Sequence, residues 1–182
     1  TVPIVFPVIF DPVGAGFVQS LSRPGGNVTG FLMFEYSLSG KWPELLKQVA
    51  PGITRVAVIR DPTTRAGIGQ WAVIQAASSS FGIELTPIAG DAVEIEREIG
   101  TFGREPNGGL IVAPGPLMTA YRSLIRELSE RYRLPAVYAF RDDVQSGALA
   151  SYGIDAPELF RRAASYVDRI LKGEKPGDLP IQ

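Results

Sequence analysis

Aspartate, serine, threonine and aromatic side chains gather at a few short turns of this sequence, and neither cysteine nor histidine accompanies them. The turns are Asp11-Pro12-Val13-Gly14-Ala15-Gly16, Asp61-Pro62-Thr63-Thr64, Ala113-Pro114-Gly115-Pro116, the stretch from Tyr138 to Asp143, and Ser151-Tyr152-Gly153. Without thiol or imidazole there are no disulfides, no zinc sites of the usual kind, and no Ser-His or Cys-His catalysis. What these residue types can do together is hold a small polar or amphipathic molecule without forming a bond to it. No cofactor and no metal is expected.

Two kinds of contact are assigned to these turns. Asp11, Ser37, Asp61, Thr63 and the amides around Pro114 would hold a polar head, while Tyr138, Phe140 and Tyr152 would lie against the body of the ligand. A structural reading stands beside each assignment. An Asp before Pro also caps a helix and shapes a turn, an aromatic at a strand end also packs a core, and Asp142-Asp143 also fits a solvated hinge or helix start. The segment Gly67-Ile68-Gly69-Gln70-Trp71-Ala72 formally matches the dinucleotide pattern G-x-G-x-x-A. Four residues, Pro62 to Arg65, nevertheless separate it from the preceding strand, so the first glycine cannot make the tight turn that the motif requires. The rival function, a Rossmann-like enzyme using a nucleotide or sugar nucleotide, rests on that displaced pair.

Elements that position these turns follow from periodicity. Apolar or β-rich runs at 2–10, 28–34, 55–61, 83–89, 110–114, 134–140 and 148–152 predict strands. Helical spacing predicts helices over 13–21, from Ser39 as cap to Val49, and over 66–81, 92–105, 117–132 and 156–172. Asp91 with Glu94 three residues on forms a capping-box pattern. Strands alternating with helices imply an α/β fold of doubly wound parallel sheets with right-handed crossovers. The spacing predicts a complete Rossmann-like lobe over 37–143 and a partial second lobe from 1–36 and 144–182. The chain would then cross between lobes near Glu35-Tyr36-Ser37 and near 141–147.

Composition narrows the function further. The 182 residues are 45% apolar, which suits a folded core. A formal charge of −1, from 18 basic and 19 acidic residues interspersed along the chain, gives no footprint for nucleic acid. No segment reaches the length of a membrane span, and the chain opens directly on an apolar strand.

Several spaced blocks together resemble a known family. Asp11-Pro-Val-Gly-Ala-Gly-Phe-Val18, Arg23-Pro-Gly-Gly-Asn-Val-Thr-Gly30, Gly40-Lys-Trp42 with Glu44-Leu-Leu-Lys47, Ala50-Pro-Gly-Ile-Thr-Arg-Val-Ala-Val58 and Tyr166-Val-Asp-Arg-Ile-Leu-Lys-Gly173 are similar to ABC-transporter substrate-binding proteins of the tryptophan/tyrosine type. The resemblance runs over essentially the whole chain. It implies a non-catalytic, periplasmic or lipid-anchored protein of the type I periplasmic-binding-protein fold, with two Rossmann-like lobes closing on a small solute for a membrane permease. It also implies that this chain is a fragment lacking the first part of one lobe, whose open edges favour a homodimer or segment exchange. One block departs from the family. Ala113-Pro114-Gly115-Pro116 stands where aromatic-amino-acid binders tend to carry an acidic Asp-Asn turn, so an ammonium loses a natural counter-charge, and a carboxylate, an aromatic acid or another uncharged amphipathic solute becomes comparable to an amino acid as ligand.

Overall fold

The computed structural model describes residues 2–33 and 36–182. Two compact units divide the chain, one comprising 1–35 with 154–182 and the other 36–153.

The larger unit is built on five parallel strands, β3 (Arg55–Ile59), β4 (Glu84–Ile88), β5 (Gly108–Val112), β6 (Ala136–Tyr138) and β7 (Ala150–Ser151), in the order β4-β3-β5-β6-β7. The central runs are apolar at every position because helices cover both faces. Register puts Ala57, Leu110 and Ala136 in one row and Ile59, Val112 and Tyr138 in the next. That face is sealed by α3 (Ala92–Phe102) and α4 (Pro116–Arg131) through Ile95, Ile99, Met118, Ile125 and Leu128. Val56, Val58, Ile111 and Val137 alternate with those rows and are equally buried. Against the sheet on that side pack α1 (Lys41–Val49) and α2 (Arg65–Ser79), which bring the buried Trp42, Leu46 and Ile74.

Local signals account for the helix ends. At α3 both halves of the capping box form, Glu94 N–H donating to Asp91 at 2.9 Å and Asp91 N–H to Glu94 at 3.1 Å. At α2 the cap is Thr64, whose hydroxyl accepts from Gly67 N–H at 3.0 Å. Ser39 does not cap α1. It is buried in a short 3-10 helix, Tyr36–Gly40, that runs directly into α1, so Gly40 occupies the capping position and no side chain is needed there.

The second crossing differs from the expected one. Residues 141–147 are not a link between units: Arg141–Gln145 form a short helix, α5, and Ala150 and Ser151 pair with Val137 and Tyr138. Pairing with β6 draws 144–153 into the larger unit, and the division falls between 153 and 154 rather than 143 and 144. Trp42 fixes the same segment from the other face, its indole N–H donating to Tyr152 O at 2.7 Å.

In the smaller unit, β1 (Ile4–Ile9) and β2 (Val28–Leu32) are parallel neighbours. The helix α6 (Ala156–Leu171) lies on them, with Phe31, Leu159, Ala163, Tyr166 and Leu179 forming its core. The tail runs along the far side of β2, where Leu32 N–H donates to Gln182 O at 2.6 Å and the buried Thr29 hydroxyl to Leu179 O at 2.7 Å. The helix expected over 13–21 does not form. Phe17 N–H closes one turn on Pro12 O, but Gly16 takes φ 77°, a left-handed conformation that ends the helical path, and Val13 and Phe17 stay exposed.

Candidate functional site

Renumbered within its unit, the strand order β4-β3-β5-β6-β7 is 2-1-3-4-5, the flavodoxin-like arrangement, and its topological switch point lies between β3 and β5. Ligands of open parallel sheets bind there, outside the carboxyl ends of the strands. Since all five strands are parallel, Asp61, Thr63, Pro114, Phe140 and Tyr152 follow the same end of the sheet. Asp11 belongs to the smaller unit, where its carboxylate accepts from Gly14 N–H at 2.9 Å. Ser37 is exposed on the 3-10 helix, which packs on α2.

Turn chemistry occupies Asp61. One of its oxygens accepts from Thr63 N–H at 2.9 Å and from the Thr63 hydroxyl at 2.6 Å, so the turn after β3 is held by its own acid. Next to it, the Arg60 guanidinium stacks on the Trp71 ring at 5.1 Å. The displaced glycines are packing residues. Both lie inside α2, and a Cβ on Gly67 would come within 1.9 Å of Asp61 O, so this glycine is what lets the turn fold onto the helix.

A recess opens beyond β5 and β6, lined by Val112, Pro114, Met118, Thr119, Arg122, Tyr138, Phe140 and Asp143. Its free volume of about 20 Å³ is room for a water or a small head group. Tyr138 stands at its back with its ring in the core shared by α3 and α4. The Tyr138 hydroxyl is buried and makes no hydrogen bond of normal geometry among the described residues; burial pushes its pKa upward, and the nearby Ser129 hydroxyl, itself donating to Arg126 O at 2.7 Å, opposes the shift.

Across the recess Asp143 is 5% exposed and pairs with Arg122, Nε to Oδ1, at 2.8 Å. Burial raises the Asp143 carboxyl above its usual range, and the Arg122 charge works against that rise. Arg122 is the first residue past a kink in α4 at Tyr121, where φ is −112° and ψ 16°. Neither residue was among those assigned to ligand contact from sequence. The available signal was spacing: Met118, Arg122 and Ile125 fall at i, i+4 and i+7, which puts an arginine into an inward-facing stripe.

The family profile described as ABC transporter substrate binding protein matches residues 1–182. The chain belongs to that family. It is 27% identical over 187 residues to a tyrosine-binding protein of Clostridioides difficile (strain R20291), covering 99% of this chain and 52% of the relative. This family member thus spans about half the length of the curated relative it matches. A conserved domain protein of Vibrio cholerae O1 biovar El Tor superposes with a TM-score of 0.88 at 26% identity, over 100% of this chain and 61% of that one. The ABC domain of a Streptococcus pneumoniae protein in complex with L-Trp superposes with a TM-score of 0.86 at 23% identity, over 99% of this chain and 60% of that one. These superpositions carry the α/β parallel-sheet fold of periplasmic binding proteins.

Proposed function

We propose that this chain is part of the solute-binding component of an ABC import system, capturing a small amphipathic solute, an amino acid, an aromatic acid or a related compound, for delivery to a membrane permease. The observation that carries the proposal is the clustering of turn amides, hydroxyls, Arg122 and aromatic edges at the carboxyl ends of five parallel strands, in a member of the substrate-binding family. The relative named for tyrosine and the neighbour holding L-Trp support an amino acid or aromatic body. Asp61, Thr63, Pro114, Phe140 and Tyr152 are the contacts proposed for the larger unit, with Tyr138 behind them; Asp11 and Ser37 are proposed as further contacts. The role is binding rather than catalysis, and its place is the periplasm or the outer face of the cytoplasmic membrane, where a permease can receive the solute. Among the described residues no helix is long and apolar enough to cross a membrane.

Self-association or segment exchange is proposed for the smaller unit. The tail covers the β2 side, while among the described residues β1 has no partner on its other edge, and α6 leaves Phe160, Ala164, Val167 and Leu171 exposed at i, i+4, i+7 and i+11.

A thermal-shift screen of amino acids, aromatic acids and neutral analogues tests solute capture. At least one compound at a hundred times its Kd stabilises the protein by about 2.7 kcal/mol. No stabilisation by any member of the panel overturns the proposal, and stabilisation by nucleotides alone restores the enzyme reading.

A further inference from the structure

Arg122 is held by one side of its guanidinium only. Its Nε lies 2.8 Å from Asp143, and among the described residues its side chain has no further polar partner, although a guanidinium carries five N–H donors in a planar fork. The side chain is 40% exposed, against 6% for its partner, so the cation reaches toward the mouth of the recess while the acid anchors it from behind. Pro114, Val112, Met118 and Phe140 make the surrounding wall largely apolar. An unoccupied half of an arginine fork matches an oxyanion that accepts two parallel N–H bonds, and in a small recess with an apolar wall the planar carboxylate fits better than the bulkier, more highly charged phosphate.

Size and charge agree. The recess of about 20 Å³ is on the scale of one or two water-sized atoms, so it suits a small polar head with the body outside against Phe140. Within the recess an ammonium head finds only Asp143, already neutralised by Arg122; one oxygen of Asp61 is engaged twice by Thr63, and the exposed Asp142 does not line the recess.

Building on the proposal of solute capture, we infer that Arg122, positioned by Asp143, is the anchor for a carboxylate head, so that the solute class is an aromatic or apolar carboxylic acid for which an α-amino group is dispensable. Asp143 acts through Arg122 and does not touch the solute. Arg60, another arginine near the strand ends, is stacked on Trp71 and serves as the competing anchor in the test.

The test uses calorimetric titration of the 182-residue chain with three probes of equal body: 3-phenylpropanoate, L-phenylalanine and 3-phenylpropanamide. Wild type binds the acid at least as tightly as the amino acid and at least tenfold more tightly than the amide. Arg122→Gln removes the preference of acid over amide, with amide affinity unchanged; Arg122→Lys, which keeps the charge, retains part of it, and Arg60→Gln leaves it intact. Equal binding of acid and amide by wild type overturns the inference without any variant, so a variant that fails to fold does not protect it. Loss of the preference in Arg60→Gln but not in Arg122→Gln also overturns it. If neither the acid nor the amino acid binds while another member of the wider panel does, the carboxylate assignment falls and solute capture stands; if nothing in the wider panel binds, solute capture falls with it.

Discussion

Replacing Gly67 by alanine separates two meanings of the same glycine. In a helix an alanine is favoured over glycine by about 1 kcal/mol, so a residue at this position with no neighbours would gain from the change. Here the new Cβ would sit 1.9 Å from the Asp61 carbonyl oxygen and 3.1 Å from the Thr64 hydroxyl. The nearer obstacle is backbone, and Asp61 is tied to Thr63 by two hydrogen bonds, so relief requires moving the whole turn away from α2. Overpacking of this kind costs about 1–3 kcal/mol, and the upper end applies when backbone must yield. Subtracting the helix gain leaves a destabilisation of about 2 kcal/mol, which lowers Tm by about 8 °C in a unit of this size. Gly69→Ala is the contrast: its Cβ would meet the Tyr36 ring at 2.7 Å, a side chain rather than backbone, so its cost is the smaller of the two and the helix gain of about 1 kcal/mol offsets part of it. Thermal unfolding followed by circular dichroism reads both. A Gly67→Ala protein as stable as wild type refutes the claim that the turn after β3 is packed onto α2. In that event the position of the Asp61-Thr63 contacts loses its structural warrant.

Other substitutions read other parts of the structure. Thr29→Val removes the buried hydroxyl bond to Leu179 O and leaves that carbonyl without its donor, so urea unfolding loses about 1–3 kcal/mol and proteolysis releases the tail more readily. Asp91→Ala breaks the capping box of α3 and costs about 1 kcal/mol in the same assay. The raised Asp143 pKa has a definite sign: the folded state holds that proton more tightly than the unfolded chain, so the group's favourable contribution is complete at low pH and disappears as pH rises from the ordinary 3.8 through the raised value. Asp143→Asn therefore gains stability relative to wild type as pH climbs through that window, measured as the difference in urea midpoints, and a constant difference across it refutes the assignment.

What could be read from sequence were features whose cause is local. Val56 to Ile59 and Leu110 to Val112 are apolar at every position because both faces are covered, and the run itself announces that environment. Asp91 and Glu94 sit three apart and satisfy each other across one turn. The false helix over 13–21 arose because Val13, Phe17 and Leu21 keep helical spacing, whereas Gly16 decides the backbone path. Two-residue β7 exists only because β6 offers it an edge, so its membership of the larger unit is a tertiary fact that no window around Ala150 contains. The same holds for Arg122 and Asp143. They lie on different helices, and Asp142-Asp143 next to Arg141 looks like a solvated cluster until α4 brings a second arginine over it.

That pairing also bears on why this end of the sheet suits binding better than chemistry. A general base needs a carboxylate that can reach its substrate with its proton affinity tuned near the working pH. Asp143 has the raised affinity, but it is buried and faces a guanidinium, so its charge is spent on orienting Arg122. Asp61 is spent on its own turn. What the rim presents outward is the remainder: guanidinium donors from Arg122, with Phe140 beside them and the turn of Pro114 opposite. In the proposed binding role, a recess that offers donors and apolar edges while Asp143 and Asp61 serve as braces has only to stabilise a bound anion that undergoes no bond change. Uniform stabilisation of that kind lowers the free energy of the complex and leaves a barrier where it was, which is what the proposed role of carrier requires.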